Sequence, residues 1–343
     1  MAECILRDGT LISDYGKPYM VSEVNSSHSG DMETAKKMID VSAEIGCDCV
    51  KFQSWSVDSL YSKTYYDSNP IAKRFVKKFS MNPDQLKELS DYCKKKNISF
   101  SSTPYSEEEV DFLAEECDVP FIKIASMDLN NPLFLEYIGK KHLPIILSTG
   151  MSTIKEIVDA VDVLHSARVD QMVILHCVSI YPTILTNVNL NNILGLRELF
   201  PMHPIGFSDH TEGDEAAVAA VALGAGVIEK HLTLDRSKVG MDNGMATEPD
   251  VFSALVKKCH DIQIALGSKE RVLIQQELEQ RKKMRRSITA TRDIIKGERI
   301  SECDICAKRP GTGIEPNRMT EIIGKKVIRD IPKDTVILLE DIE

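Results

Sequence analysis

The sequence lacks the features that would place the protein in a membrane or on nucleic acid. None of its apolar runs approaches the roughly 20 residues that a membrane-spanning helix needs. The first residues, MAECILRDGT, carry charges where a signal peptide would have its apolar core, so we expect a cytoplasmic protein. The formal net charge of −10 argues against a nucleic-acid partner, although a local group of lysines can still bind an anionic ligand.

The sequence also lacks a repeated pattern of paired cysteines. Its nine cysteines are an odd number, and most lie in apolar runs such as VILHC, which ends at Cys177. We therefore interpret them as buried, reduced thiols. Cys303 and Cys306 form a single CxxC pair, and the absence of a second pair nearby disfavours a structural zinc site.

Short apolar runs alternate with longer amphipathic stretches over most of the chain. The apolar runs predict eight strands, at 19–24, 49–52, 98–101, 121–124, 145–147, 173–176, 205–207 and 227–229. The amphipathic stretches predict helices between them, for example at 31–45, 82–96, 107–117, 154–164 and 212–223. Eight strands separated by helices indicate an α/β fold of the (β/α)8, or TIM-barrel, type.

The pattern changes near Gly267, so we expect two domains and a linker. Residues 1–267 would form the barrel, and the charged residues 268–286 a helical linker. Residues 287–343 contain short elements separated by Gly, Pro and Asp, which predicts a small, mostly β domain. Before the first barrel strand, CILRDGTLI predicts a hairpin that turns at Asp8 and Gly9 and closes the bottom of the barrel.

Polar or ionisable residues follow all eight predicted strands, at the end where barrel enzymes place their active sites. They are Glu23, Lys51, Gln53, Ser102, Thr103, Lys123, Ser126, Ser148, Thr149, His176, Ser179, Ser208, Asp209, His210, Glu229, Lys230 and His231. A barrel without catalytic activity would need such groups at only some strand ends. Their presence at every end therefore predicts an active site.

Two histidines follow neighbouring strands of the predicted barrel. His210 and His231 can converge on one ion, and imidazole suits a first-row divalent metal whose other ligands are oxygens of water or substrate. Either histidine alone would be a hydrogen-bonded residue at the barrel rim. The pair, each with a carboxylate nearby, favours a metal site.

Two lysines lie in runs too apolar for a solvated surface. Lys51 in CVKFQ and Lys123 in FIKIAS would be half-buried, and a phosphate or carboxylate partner explains such an ammonium. Hydroxyls of the kind that phosphate sites use follow other strands, at Ser126, Ser148 and Ser208. Glu23 is either an acid/base group or a hydrogen-bond anchor. These residues predict a metal-assisted reaction on a phosphorylated or carboxylated small molecule.

Motifs along nearly the whole chain resemble those of the sialic acid synthase family, in the same order. SEVNSSHSG resembles the family's first-strand signature, and the others are VKFQ, SSTPYS, IKIAS, STGMST, CVSIYPT, GFSDHT, IEKHLTLDR and AKRPGTGI. The C-terminal residues resemble the SAF domain, which is shared with type III antifreeze proteins. The resemblance implies a transferase that condenses phosphoenolpyruvate with an open-chain N-acylmannosamine-like sugar, giving a nonulosonic acid and phosphate.

The resemblance also implies roles for individual residues. Those implied to hold phosphoenolpyruvate are Lys51, Thr103, Lys123, Ser126, Ser148 and Ser208. His210 and His231 would bind Mn²⁺, or another divalent ion such as Mg²⁺ or Co²⁺, and Glu23 would be the catalytic glutamate. Gln53, Tyr181 and Asp242 would contact the sugar. Arg309 would reach the sugar site of the partner in a domain-swapped homodimer.

The departures from the family motifs lie on the sugar side. Asn25 and Ser27 replace the usual Gly and Asn, Ser179 replaces a frequent Asn, and VGMDNGMATEP replaces the common GPDH-x-A-S-L-x-P. N-acetylmannosamine, its 6-phosphate and deoxy-diacetamido sugars leading to legionaminic or pseudaminic acid therefore all remain candidate acceptors.

Two alternative functions remain. One is a related phosphoenolpyruvate-dependent 3-deoxy-2-ketoacid synthase acting on a phosphorylated sugar such as arabinose 5-phosphate, which the SAF-like module disfavours. The other is a non-catalytic SAF-type binding protein, which the complete set of strand-end residues disfavours.

Overall fold

A computed structural model describes the whole chain, Met1–Glu343, which divides into two compact units. The first unit is Met1–Gly267 and the second is Ser268–Glu343. None of the helices combines the length and the apolar character that crossing a membrane would require.

The first unit contains ten strands and twelve helices. The strands are β1 (Glu3–Ile5), β2 (Leu11–Ser13), β3 (Tyr19–Glu23), β4 (Cys49–Gln53), β5 (Ser99–Thr103), β6 (Ile122–Ile124), β7 (Ile145–Ser148), β8 (Met172–Cys177), β9 (Ile205–Asp209) and β10 (Val227–His231). The helices are α1 (Met32–Glu44), α2 (Val57–Leu60), α3 (Lys63–Ser68), α4 (Pro70–Phe79), α5 (Pro83–Lys96), α6 (Glu107–Glu115), α7 (Pro132–Gly139), α8 (Ile154–Ser166), α9 (Leu185–Val188), α10 (Asn192–Leu199), α11 (Glu215–Ala222) and α12 (Pro249–Leu266).

Strands β3 to β10 form the predicted barrel. Their order is β5-β4-β3-β10-β9-β8-β7-β6, and every neighbouring pair is parallel. Between β5 and the start of β6 the Ser101 hydroxyl donates to the Phe121 carbonyl over 3.3 Å, which bridges the remaining gap. The eight-stranded barrel predicted from the sequence is confirmed.

Alternation along the strands separates the interior of the barrel from the layer beneath the helices. Residues such as Val21, Phe121 and Val173 point inward and pack with Cys4 and Ile12 from the antiparallel β1–β2 hairpin. The intervening residues pack outward against the helices. The hairpin thus fills the amino end of the barrel, and the opposite end is left to polar side chains.

Three helices occupy residues 54–81, where the sequence analysis predicted no element. Helices α2, α3 and α4 are short, and α4 begins at a proline. They surround a separate apolar cluster formed by Trp55, Tyr66, Val76 and Phe79. Helices α2 and α3 are shorter than two turns, so the periodicity of their sequence could not reveal these two helices.

The second unit contains one longer helix and a small module. Helix α13 (Gln275–Met284) is exposed, strands β11 (Ser287–Ala290) and β12 (Ile305–Lys308) pair antiparallel, and α14 (Met319–Ile322) follows. Most of the remaining pairing is by isolated bridges, such as Thr289 with Val336 and Ile294 with Ile331. The module has its own core of buried isoleucines, which includes Ile288, Ile294 and Ile337.

Candidate active site

The carboxyl ends of the barrel strands surround one cavity of about 510 Å³. Side chains two residues apart in a strand share a face, so every second side chain of each strand points into the barrel. The family resemblance implied roles for thirteen residues, and twelve of them line this cavity. They are Glu23, Lys51, Gln53, Thr103, Lys123, Ser126, Ser148, Tyr181, Ser208, His210, His231 and Asp242.

Lys51 and Glu23 form a buried ion pair at the ends of β4 and β3. Burial alone would lower the Lys51 pKa, but the carboxylates of Glu229 and Glu23 raise it above its ordinary value. Burial raises the pKa of Glu23, and the Lys51 ammonium offsets only part of that rise. The other Glu23 oxygen accepts from the Asn25 backbone over 2.7 Å and from the Gln53 amide over 3.3 Å. Glu23 is therefore held in one orientation, pointing into the cavity.

Lys123, on β6, forms a second buried cationic centre. Its ammonium donates to the Ser148 hydroxyl over 2.7 Å and lies 3.7 Å from one oxygen of Glu229. The other Glu229 oxygen lies 3.8 Å from Lys51. Burial lowers the Lys123 pKa, and the negative charge of Glu229 limits the decrease. Glu229 thus balances the charges of both lysines in the absence of an anionic ligand.

Hydroxyl groups lie around these two ammonium groups. Thr103 accepts from Lys51 over 3.2 Å, and Ser208 donates to Glu229 over 3.1 Å. The Ser126 hydroxyl accepts from the Gly150 backbone over 3.0 Å. A Cβ at Gly150 would lie 2.8 Å from the Ser126 oxygen, so glycine allows this close approach. Two cations and several hydroxyls that line one cavity form a site suited to a small polyanion.

His210 and His231 lie at the carboxyl ends of the neighbouring strands β9 and β10, with ring centroids 5.4 Å apart. His210 contacts the Val178 carbonyl through Nδ1 over 2.8 Å, so Nδ1 carries the proton and Nε2 retains a lone pair in the neutral ring. Burial and the nearby His210 hold the pKa of His231 well below its ordinary range, which keeps that ring neutral. The Tyr181 ring packs against His210 with the centroids 4.2 Å apart.

Amides and a carboxylate complete the cavity beside the histidines. Gln53 accepts from the Tyr105 hydroxyl over 2.8 Å and from the Trp55 indole over 2.9 Å. The Asn25 amide donates to Asp242, whose pKa is raised by burial. The single side-chain oxygen of Gln53 is thus fixed by two donors, while an Asp242 oxygen lies 3.9 Å from Nδ1 of His231. These residues offer hydrogen-bonding groups to an uncharged polyol or amide.

Comparison with known proteins identifies the family. Residues 38–271 match the NeuB family, and residues 285–343 match the SAF domain. The chain belongs to the NeuB family. The predicted resemblance to sialic acid synthases, including their C-terminal SAF domain, is thereby confirmed.

NeuB-family similarity extends over the full chain. An uncharacterised protein of Methanocaldococcus jannaschii is 38% identical over 330 residues, which cover 95% of each chain. An N,N'-diacetyllegionaminic acid synthase of Legionella pneumophila is 35% identical over 338 residues, covering 95% of this chain and 94% of the relative. The crystal structure of N-acetylneuraminic acid (sialic acid) synthetase from Leptospira borgpetersenii serovar Hardjo-bovis, in complex with citrate, has a TM-score of 0.75 and 31% identity. It covers 81% of this chain and 96% of that one.

The donors in this NeuB-family cavity fit a divalent cation. The rings of His210 and His231 both line the cavity, and imidazole nitrogen is a ligand that first-row divalent ions accept. No group of three or more His, Cys, Asp or Glu side chains is arranged to hold a metal. The protein would therefore supply two imidazoles, leaving the remaining positions to oxygen atoms of water or substrate.

Some strand-end residues named in the sequence analysis do not face the cavity. His176 points outward and contacts the Val188 carbonyl over 2.6 Å, and Ser102 bonds to Ser54 over 2.6 Å behind the strands. Asp209 and Lys230 also point outward, and they pair with each other. Arg309 belongs to the second unit, where it is exposed after β12. Side chains alternate between the two faces of a strand. Applied to each motif, this alternation could have distinguished the residues that point into the barrel from those that point outward.

Sequence reasoning gave no role to other residues that line the NeuB-family cavity. Glu229 was noted only as a strand-end residue, although it lies between both lysines. Tyr105 and Asn25 hold Gln53 and Asp242 in place. Their motifs, SSTPYS and SEVNSSHSG, were recognised, but nothing in the sequence showed which partner each side chain would contact.

Proposed function

We propose that this NeuB-family chain is a nonulosonic acid synthase. It is a transferase that condenses phosphoenolpyruvate with an open-chain N-acylmannosamine-like sugar and releases phosphate. One observation carries the proposal: a single cavity brings together two cations with several hydroxyls and two imidazoles with amide groups. An enolpyruvate phosphate suits the cations and hydroxyls, and a sugar aldehyde suits the imidazoles and amides.

Phosphoenolpyruvate binds through the two buried lysines and the hydroxyl groups around them. The residues that hold it are Lys51, Thr103, Lys123, Ser126, Ser148 and Ser208. The lysines are buried, so a phosphate or carboxylate gains far more from them than from solvated lysines. Glu23 and Glu229 lie beside the two lysines and balance their positive charges.

The chain organises two bond-forming steps. C3 of the enolpyruvate attacks the aldehyde carbon, and the aldehyde oxygen takes up a proton. Water then adds to the cationic C2 and loses a proton, and the resulting tetrahedral intermediate expels inorganic phosphate to leave the 2-keto acid. Glu23 accepts the proton of that water, since its carboxylate points into the cavity and its raised pKa makes it a stronger base.

His210 and His231 would hold a divalent cation, for which we propose Mn²⁺, with Mg²⁺ or Co²⁺ as alternatives. When bound, such an ion supplies a Lewis acid for carbonyl and water oxygens. The protein's own contribution is to keep the His231 ring neutral by burial and to orient the His210 ring through its Nδ1 contact with the Val178 carbonyl. The sugar is oriented by Gln53, Tyr181 and Asp242.

We also propose a domain-swapped homodimer in which Arg309 contacts the sugar in the site of a partner copy. The support is the AKRPGTGI motif together with the SAF-domain match at residues 285–343. The reduced state of all nine cysteines supports action in the cytoplasm. The proposed domains are a barrel at 1–267, a linker at 268–286 and the SAF domain at 287–343.

Phosphate release tests the proposed function. The full chain is incubated with phosphoenolpyruvate, Mn²⁺ and, in turn, N-acetylmannosamine, its 6-phosphate, a 6-deoxy diacetamido mannose and arabinose 5-phosphate. We expect release with at least one mannosamine-type sugar. Release with arabinose 5-phosphate alone would support the related 3-deoxy-2-ketoacid synthase. If no sugar caused phosphate release, the proposal would be wrong.

A further inference from the structure

Gln53 lines the cavity with only one end of its amide free for a ligand. Its side-chain oxygen accepts from the Trp55 indole over 2.9 Å and from the Tyr105 hydroxyl over 2.8 Å. An indole nitrogen can only donate, so the atom that it contacts must be the oxygen of Gln53 and not its nitrogen. The amide nitrogen donates to Glu23 over 3.3 Å. Because both lone pairs of the oxygen are used, Gln53 can offer a ligand an N–H group but no acceptor.

The two donors to Gln53 belong to different segments of the chain. Trp55 follows β4 and directly precedes Ser56, the N-cap of helix α2. Tyr105 follows β5 and directly precedes Ser106, the N-cap of helix α6. Burial raises the pKa of Tyr105 well above its ordinary value, so its hydroxyl keeps the proton that it donates. The orientation of the Gln53 amide therefore depends on how these two segments are fixed to one another.

Glu109, in the first turn of α6, joins the two segments. One of its carboxylate oxygens accepts from the Tyr105 backbone over 2.6 Å, and the other accepts from the Ser59 hydroxyl over 2.6 Å. The Ser59 hydroxyl in turn accepts from the Ser56 backbone over 2.9 Å, at the start of α2. A single carboxylate thus connects Tyr105 with the residue that directly follows Trp55.

The contacts of Glu109 differ from those that its position in the helix predicts. Glu109 is the third residue after the N-cap Ser106, where a glutamate ordinarily accepts from the backbone N–H of the capping residue. Its carboxylate instead reaches Tyr105, before the cap, and Ser59 in another helix. Burial raises the pKa of Glu109, and the two neutral donors offset only part of that rise. Capping of α6 therefore does not explain where this carboxylate lies.

We propose that Glu109 is a positioning residue of the active site, which holds Trp55 and Tyr105 in place. These two rings in turn orient the Gln53 amide, so that it donates to Glu23 and to an oxygen of the sugar. Glu109 itself does not line the cavity. The proposal rests on the proposed function, because it takes Glu23 as the base and Gln53 as a sugar contact.

Trp55 allows the geometry to be tested without turnover, because it is the single tryptophan of the chain. The 1H–15N spectrum of the full chain without substrate therefore contains one indole signal. Gln53→Ala removes the acceptor of the indole and should move this signal. We expect Glu109→Ala to move it in the same direction. Glu107→Ala, which removes an exposed glutamate from the same turn of α6, should leave it in place. An unmoved signal in Glu109→Ala, or an equal movement in Glu107→Ala, would overturn the proposal.

Steady-state kinetics test whether this geometry serves the reaction. With phosphoenolpyruvate, Mn²⁺ and a mannosamine-type sugar, Glu109→Ala should lower kcat/KM for the sugar by about tenfold, less than the roughly hundredfold that a 1 Å misplacement can cost. Glu109→Gln keeps an acceptor for the Tyr105 backbone and should recover most of this loss. The KM for phosphoenolpyruvate should stay close to that of the parent, since Lys51 and Lys123 contact other residues. An equal loss in Glu109→Gln and Glu109→Ala would overturn the proposal.

A double-mutant cycle separates an effect through Gln53 from a general loss of stability. In a Gln53→Ala background the amide is absent, so Glu109→Ala should lower kcat/KM by less than about twofold, the scatter of independent effects. A loss as large as in the parent would show that Glu109 acts elsewhere and would overturn the proposal. If Glu109→Ala does not fold, Ser59→Ala removes one of its two contacts and replaces it in each test. No phosphate release by the parent with any sugar would contradict the proposed function, whereas the indole signal would still decide whether Glu109 orients Gln53.

Discussion

Asp209 and Lys230 form an ion pair of 2.6 Å in which each residue directly precedes one of the two cavity histidines. Both side chains are fully buried on the outer side of β9 and β10. Lys230 also donates to the Thr211 carbonyl over 2.7 Å, and Asp209 accepts from the Thr211 backbone over 2.9 Å. The pair thereby fastens the ends of both strands together, and the backbone that carries His210 and His231 is held in one arrangement.

Breaking this ion pair should weaken metal binding without touching the metal ligands. We expect Asp209→Asn to lower Mn²⁺ affinity, measured by calorimetry, by at least about tenfold, as loss of supporting contacts behind a metal site does. The phosphoenolpyruvate affinity should change less, because Lys51 and Lys123 lie on other strands.

Removing one partner of a buried ion pair such as Asp209 with Lys230 costs about 3–5 kcal/mol, so stability must be measured alongside affinity. A partly buried ion pair elsewhere in the first unit provides the control for this effect. Arg197→Gln breaks the contact of Arg197 with Asp14, 3.2 Å long, near the hairpin end of the barrel. It should destabilise the fold while leaving Mn²⁺ affinity intact. If Asp209→Asn also left the Mn²⁺ affinity unchanged, the Asp209–Lys230 pair would not position the two histidines. If Asp209→Asn does not fold, Asp209→Leu with Lys230→Met, which leaves no unpaired charge, replaces it.

Removing one of the two imidazoles proposed to bind the metal should abolish turnover and spare the fold. We expect His210→Ala to reduce kcat by at least about a hundredfold, with the thermal midpoint measured by circular dichroism close to that of the parent. The physical reason is that a single imidazole cannot retain the ion that two hold. Activity that survives unchanged without added metal would refute the metal assignment.

Removing the charge of Glu229 should change how phosphoenolpyruvate binding depends on pH. Binding requires the Lys123 ammonium, so affinity is lost as pH rises through the Lys123 pKa, which burial already lowers. Glu229→Gln removes the carboxylate that limits this decrease, and the loss should therefore begin at a lower pH. Calorimetric titrations between pH 7 and 10 would show it, and identical profiles for both proteins would contradict the role given to Glu229.

His28 should make the fold sensitive to acid. Burial lowers its pKa from 6.5 to about 4, and its Nδ1 accepts from the Gly30 backbone over 3.0 Å, which requires an unprotonated nitrogen. The unfolded state binds the proton first, so stability falls as pH drops from the unfolded value towards the folded one, by about 3 kcal/mol in total.

Urea unfolding at several pH values isolates this contribution. His28→Asn keeps an acceptor in the loop but removes the titration, so its free energy of unfolding should decline less than that of the parent between pH 6.5 and 4. Parallel curves for the two proteins would exclude His28 as a source of acid sensitivity.

The barrel and most of its cavity followed from the sequence because both depend on a local pattern. Alternation in runs such as CVKFQ and FIKIAS determines which residues face inward, and the strand order determines that they meet. Lys51 and Lys123 could therefore be assigned to one site. The position of Glu229 between the two lysines could not be predicted, because it depends on distances across the barrel between three strands.

Other features escaped because they have no local signature. Helices α2 and α3 are each shorter than two turns, which is too short for a clear helical period. Asp209 and Lys230 were grouped with the cavity residues because they are polar and follow strands. Only the direction of each side chain shows that they support the histidines from behind.

The formation of a new carbon–carbon bond is the central claim, and isotope labelling tests it most directly. The full chain is incubated with [3-13C]phosphoenolpyruvate, Mn²⁺ and the preferred mannosamine-type sugar, and the products are followed by 13C NMR. We predict that the label appears in a methylene group bonded to the former aldehyde carbon of a nine-carbon 2-keto acid, with one phosphate released per product. Label recovered only in unreacted phosphoenolpyruvate or in pyruvate would contradict the account.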